Sequence, residues 1–179
     1  YLFKILLIYL LFSFLFPINE VNVNNLLQFG EKYFKENESI PFTGNVFEIS
    51  RETGEKILQY GMVNGTQRGS YKEWYEDGTL KVNGFYKNGM SGLWVYYYNN
   101  GQLKKEENYK DGIPDGKWTI YKYDTDGSLI VEGIYKEGIK YNGSFLEYHL
   151  NSKDYWLVTK TNYKDGIYIR HTEYTYYND

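Results

Sequence analysis

Gly92-Leu93-Trp94-Val95-Tyr96-Tyr97-Tyr98-Asn99-Asn100-Gly101-Gln102-Leu103, closed by Tyr109-Lys110-Asp111-Gly112, is the stretch from which the fold can be read. An aromatic run leads into Asn100-Gly101 and a second, alternating run leads away from it. Asn-Gly between two such runs reads as a hairpin turn, because a primed two-residue turn needs positive φ, which Asn and Gly tolerate. The same pattern precedes it, from Gly69-Ser70-Tyr71 through Trp74 and Asp77-Gly78 to Leu80. It also follows it, from Gly116-Lys117-Trp118 through Tyr121 to Gly127-Ser128-Leu129. Tyr-Lys-x-Gly closes four successive units, whose closing glycines Gly89, Gly112, Gly138 and Gly166 are 23, 26 and 28 residues apart, and a degenerate earlier unit closes at Asn64-Gly65. A period of this size marks a repeat architecture in which each unit contacts mainly its neighbours. The units fall near 44–65, 66–89, 90–112, 113–138 and 139–166, with a partial one over 167–179, inside an array spanning 44–179.

Composition agrees with strands. The 179 residues include 22 Tyr, 10 Phe and 4 Trp but no Ala, so the best helix former is missing and the best strand formers abound. The expected class is therefore all-β, an extended antiparallel sheet of successive hairpins. Within a unit, Leu80, Val82 and Tyr86 share one strand face at period two. The aromatics of the first strand, such as Trp94 with Tyr97, lie three apart. Either both faces are occupied or the strand is bulged. Residues 20–43 form a lead-in segment, where a short helix over Asn24–Phe34 would place Leu26, Leu27, Phe29, Tyr33 and Phe34 on a shared face.

Tyr1–Phe16 is apolar apart from Lys4 and Ser13 and runs into Pro17. The run is shorter than the roughly 20 residues of a membrane-crossing helix and has the length of an export signal. Residues 1–19 are thus expected to be a signal peptide or an N-terminal anchor, and either places the remainder in the periplasm, cell envelope or medium. Membrane association would then come through residues 1–18.

Several chemistries are excluded or disfavoured. There is no Cys, which removes thiolate metal sites and thiol nucleophiles, and only two His, which leaves little for a triad or an imidazole-based metal site. A formal net charge of −3 argues against a duplex nucleic-acid binder. The glycines recur at structural period, among them Gly78, Gly101 and Gly127 at the turns, and never form a phosphate-cradling run before a helix. No catalytic residue, metal, cofactor or small-molecule substrate is expected. The aromatics divide into two groups. Tyr71, Trp74, Trp94, Tyr97, Trp118, Tyr121, Phe145 and Tyr148 recur two to a unit, as the packing of repeats demands. Tyr75, Tyr96 and Tyr98 exceed that demand, since matching sites elsewhere hold Lys122, His149, Glu73 or Ile120. They are candidates for a partner-binding stripe, because Tyr offers a rigid apolar ring with a polar tip.

Gly-x-Trp-x-x-Tyr-Tyr-x-x-Gly-x-Leu followed by Tyr-Lys-Asp-Gly resembles the bacterial variant of the MORN repeat, as found in YwqK-type antitoxin components and related exported arrays. The resemblance covers roughly Leu27–Asp179 and implies a sheet of MORN-type hairpins with a non-catalytic role. It implies protein–protein docking, antitoxin-like or at a host-cell surface. Attachment to membrane phospholipid is the rival association, and a glycan-binding module using the aromatic faces is a further alternative. The fourth unit departs from the pattern, with Phe145 for Trp and Ser152 at the turn glycine.

Overall fold

The computed structural model describes residues 19–124, 127–150 and 156–176, and side-chain surroundings for 19–121, 131–146 and 159–172. The apolar run over 1–18, the turn at 125–126 and the side chain of Tyr148 lie outside the described residues. The strands are β1 (Glu20–Asn22), β2 (Leu26–Phe29), β3 (Lys32–Lys35), β4 (Gly44–Ile49), β5 (Lys56–Val63), β6 (Thr66–Trp74), β7 (Leu80–Tyr86) and β8 (Gly92–Tyr97). They continue as β9 (Leu103–Lys110), β10 (Ile113–Pro114), β11 (Gly116–Asp124), β12 (Gly127–Lys136), β13 (Ile139–Leu150), β14 (Trp156–Lys164) and β15 (Ile167–Tyr176). From β4 onward the strands lie side by side in chain order and pair antiparallel, with β10 a short partner of β9. The expected sheet of successive hairpins is what the chain forms.

The segment expected as a helix is instead a 3-10 turn, Val23–Asn25, followed by the two-stranded hairpin β2–β3. Gly30 explains the change. It sits mid-segment with φ of 61°, a left-handed conformation that ends any helix and suits a tight turn. The neighbours also compete, since the Tyr33 amide donates to the Gly65 carbonyl and the Phe42 amide to the Tyr33 carbonyl. This segment caps the array. β1 pairs parallel with β4, and Val21 and Phe42 join Val46, Tyr60 and Met62 in a buried cluster that Val23, Leu26 and Tyr33 cover. A terminal cap of this kind shields the end of a stacked array from water.

The turns are also distributed differently from expectation. Within units, Gly78 (φ 83°) and Gly101 (φ 80°) are left-handed, whereas the preceding Asp77 and Asn100 are not. The Gly78 amide donates to the Tyr75 carbonyl and the Tyr75 amide to the Thr79 carbonyl, and residues 98–102 repeat both bonds. These are three-residue loops, a type I turn ended by a bulge glycine, rather than primed two-residue turns. Side chains assist, because Asp77 Oδ1 accepts from the Thr79 amide and Asn100 Oδ1 from the Gln102 amide. The primed geometry lies at the unit junctions, where both residues of Asn64-Gly65, Asp111-Gly112, Glu137-Gly138 and Asp165-Gly166 have positive φ. Those junctions stack along one edge of the sheet. The Gly65 amide donates to the Phe42 carbonyl of the lead-in, and the amides of Gly112, Gly138 and Gly166 donate to the carbonyls of Met90, Pro114 and Tyr141, each in the preceding junction.

One sheet face carries a ladder of rings. Tyr60, Tyr71, Tyr86 and Trp94 form one run, with centroid separations of 6.0, 5.6 and 5.0 Å between successive members. Tyr109, Trp118, Tyr135, Phe145, Tyr163 and Tyr168 form a second. Glycine makes room for it. A Cβ on Gly84 would lie 2.3 Å from the Trp94 ring, and one on Gly133 would lie 2.5 Å from the Phe145 ring. The opposing positions across each hairpin pair Tyr71 with Gly84, Trp94 with Glu107, Trp118 with Gly133 and Phe145 with Thr161. Glu107 is thus a buried carboxylate in a row otherwise held by glycine or threonine. Lys105 Nζ at 2.6 Å and the Tyr109 hydroxyl at 3.1 Å compensate it.

Candidate functional site

The aromatics singled out by the sequence occupy two levels of the sheet. Tyr71, Trp94, Trp118 and Phe145 are ladder members, and Trp94 and Phe145 are buried. The second aromatic of each unit follows the ladder ring by three residues, and both arrangements that this spacing allows occur. In the hairpins β6–β7 and β8–β9 the register shifts between Glu73 and Trp74 and between Tyr96 and Tyr97, so the strand is bulged there. In β11–β12 the pairing runs unbroken from Gly116 to Asp124, and Tyr121 points to the face opposite Trp118. Its hydroxyl donates to Glu106 Oε2 at 2.7 Å. Gly127 pairs with Asp124 beside the turn that lies outside the described residues.

Tyr75, Tyr96 and Tyr98 gather at the loop ends of the hairpins, and each is half-buried. The Tyr75 hydroxyl donates to the Tyr97 carbonyl (2.8 Å), and the Tyr98 hydroxyl donates to the Tyr121 carbonyl (3.2 Å), one unit further on. These two phenols therefore clamp successive units while leaving part of each ring open. A lysine accompanies each ring: Lys81 lies 5.8 Å from the Tyr75 centroid, Lys104 5.5 Å from Tyr98 and Lys105 4.1 Å from Tyr96. Burial, reinforced by the nearby Glu107 carboxylate, pushes the Tyr96 phenol far above its ordinary range. The Tyr96 phenol is thereby held in its neutral form.

A second surface was not read from the sequence. On the face opposite the ladder, Phe85 and Leu93 are each 48% exposed and Ile134 is 45% exposed. Beside them, on the junction edge, Ile113, Ile139 and Ile167 are exposed, each directly after a turn glycine. The signal was present in Asp111-Gly112-Ile113, Glu137-Gly138-Ile139 and Asp165-Gly166-Ile167, where an apolar residue recurs after a turn that puts it in water. Among the described residues, no group of three or more His, Asp or Glu is placed to hold a metal ion.

Residues 67–88 and 90–111, the first strand, loop and second strand of two consecutive hairpins, each match the family model of the MORN repeat variant. These two hairpins are similar to MORN repeats. The matched segments hold Tyr75, Tyr96 and Tyr98 and the bulges beside them, and they flank the junction at Gly89. No curated protein and no solved structure matches the chain. The later hairpins continue the same sheet, with Trp118, Tyr135, Phe145 and Tyr163 extending the ring ladder.

Proposed function

We propose that this MORN-repeat chain is a non-enzymatic scaffold that binds another protein, exported by or anchored through its apolar first residues. The observation that carries the reading is the row of exposed Phe85, Leu93, Ile113, Ile134, Ile139 and Ile167. A recurring apolar row on a rigid sheet is a surface that association with a partner would cover. Phospholipid is the less favoured occupant. Lys87, Lys110, Lys136 and Lys164 do stand exposed along the same edge, but Asp111, Glu137 and Asp165 follow three of them directly. Acids beside the lysines cancel the basic field through which anionic lipid attracts a protein, worth only ~1 kcal/mol per basic residue. An antitoxin-like role is one form of such docking, with the partner a cognate toxin.

The test is cross-linking and capture in the native cell with the wild type and with Leu93→Ser/Ile139→Ser/Ile167→Ser. These side chains lie outside the buried core, so melting should stay within a few degrees, while the captured partner is lost. Equal capture by both proteins rejects the apolar row as the docking surface. Co-sedimentation with anionic vesicles that the triple variant loses would move the reading to lipid.

A further inference from the structure

Between the loop ends of the β4–β5 and β6–β7 hairpins lies an open hollow of about 400 Å³, lined by Glu48, Ile57, Leu58, Glu73, Trp74, Tyr75, Glu76 and Lys81. Its size is that of a ligand pocket, and its walls mix apolar surface with a few charged groups, as such pockets do. The charges are unbalanced. Three carboxylates face one ammonium, and Lys81 is engaged by Glu73 at 3.2 Å with Tyr75 beside it. The Glu76 carboxylate accepts from the Ser50 hydroxyl, which ties the two loops together. Glu48 differs from both. It is half-buried on β4, opposite Leu58, and makes no hydrogen bond or ion pair among the described residues. A carboxylate drawn partly out of water without a partner carries a desolvation cost that an incoming cation removes.

We infer that this hollow takes the guanidinium of an arginine side chain supplied by the protein partner. The inference rests on the reading of the chain as a protein-binding scaffold and specifies what that partner inserts. The aliphatic stem would lie along Ile57 and Leu58, and the planar head would stack on Trp74 while its N–H fork meets Glu48. Arginine suits this better than lysine, because the guanidinium stacks on indole, is weakly hydrated and bonds carboxylates in pairs. Lys81 over Tyr75 is the chain's own example of a cation resting on an aromatic wall of this hollow. A neutral sugar would leave the Glu48 charge unanswered. A metal ion would have to take Glu73 from Lys81.

The probes are acetyl-Gly-Arg-Gly-amide, its citrulline counterpart, which keeps the shape without the charge, and agmatine, a free guanidinium on the same kind of stem. Each is titrated into the full chain while the Trp74 indole N–H resonance is followed by NMR. The arginine peptide should shift that resonance saturably, the citrulline peptide should not, and Glu48→Gln should weaken the arginine peptide about tenfold. Melting of Glu48→Gln should match the wild type. Equal response to arginine and citrulline, or an indifferent Glu48→Gln, overturns the inference. Binding of agmatine tighter than the peptide also overturns it, by assigning the hollow to a free small cation. Loss here, with partner capture still sensitive to the Leu93, Ile139 and Ile167 substitutions, would sink the hollow and leave the docking role standing.

Discussion

Replacing Gly84 with alanine should be among the costliest small changes in the array. The backbone at Gly84 is not left-handed, so alanine meets no conformational penalty there and gains strand propensity. The whole cost is steric. The new Cβ would stand 2.3, 2.4 and 2.5 Å from three carbons of the Trp94 ring, where carbon atoms prefer about 3.5–4.0 Å. The ring must retreat by roughly an ångström, yet it is only 2% exposed and wedged by Tyr71 at 5.2 Å and Tyr86 at 5.0 Å. Overpacking of a tight core costs about 1–3 kcal/mol, and three simultaneous overlaps with a trapped indole point to the top of that range. Urea unfolding measures it, since about 3 kcal/mol at an m-value of about 2 kcal/mol/M lowers the midpoint by roughly 1.5 M. Gly69→Ala is the control. Its φ is 98°, so it is strained, but nothing lies within 4 Å of the added carbon, which leaves only a backbone cost of about 1–2 kcal/mol. If Gly84→Ala proves no worse than Gly69→Ala, Trp94 is not seated on Gly84 and the ladder geometry is wrong.

Further outcomes rest on the same geometry. Trp94→Ala should cost about 3–5 kcal/mol in urea unfolding, because it removes a buried ring from the centre of the ladder. Lys105→Met should cost about 2–3 kcal/mol, the low side for stranding a buried carboxylate, since the Lys105 side chain is still 33% exposed. Adding Glu107→Gly, the residue found at the matching sites Gly84 and Gly133, should recover most of that loss. Stability should fall as pH rises above about 10. Burial raises the phenols of Tyr60, Tyr71, Tyr86, Tyr96 and Tyr109 in the folded chain, so they stay neutral while the unfolded tyrosines ionise. The ceiling is about 1.4 kcal/mol per pH unit for a phenol as enclosed as Tyr60, less for the wetter ones, and pH-dependent melting reads it. At the acid end, hydrogen bonds from Thr79 hold Asp77 below its usual value of 3.8, so its contribution is complete above that pH and fades as pH falls further.

The architecture was legible because it is written many times. Tyr71, Trp94 and Trp118 are each followed in the same order by a turn glycine and a closing Tyr-Lys-x-Gly, and a sheet of hairpins satisfies all of them together. The closing tyrosines were visible as punctuation, but their place in the ladder was not. Tyr86 and Tyr135 reach Trp94 and Trp118 across strand pairs, a relation that single-strand alternation does not contain. Turn types were misplaced because Asn100-Gly101 and Asp111-Gly112 look alike in sequence. They differ only in whether the residue before glycine turns left-handed, which hairpin register decides. The lead-in failed for a related reason. Leu26, Phe29 and Tyr33 fit a helical face locally, while the Gly65 carbonyl and the Val46 cluster draw the segment into strands. Of the candidate site, Tyr75 and Tyr98 were found as surplus rings. The carbonyls that receive their hydroxyls belong to the next unit and carry no sequence signature.

That the units are interchangeable and joined by one ladder is tested most directly by removing one of them. Deleting residues 112–137 joins Asp111 (φ 50°) to Gly138 (φ 84°), which regenerates a left-handed Asp-Gly junction and brings Phe145 to the place beside Tyr109 that Trp118 held. Urea unfolding followed by circular dichroism should show a β spectrum and a cooperative transition, shifted to lower denaturant because one interface and one hairpin are gone. A shortened chain with no cooperative transition would contradict a modular array and with it the scaffold built on it.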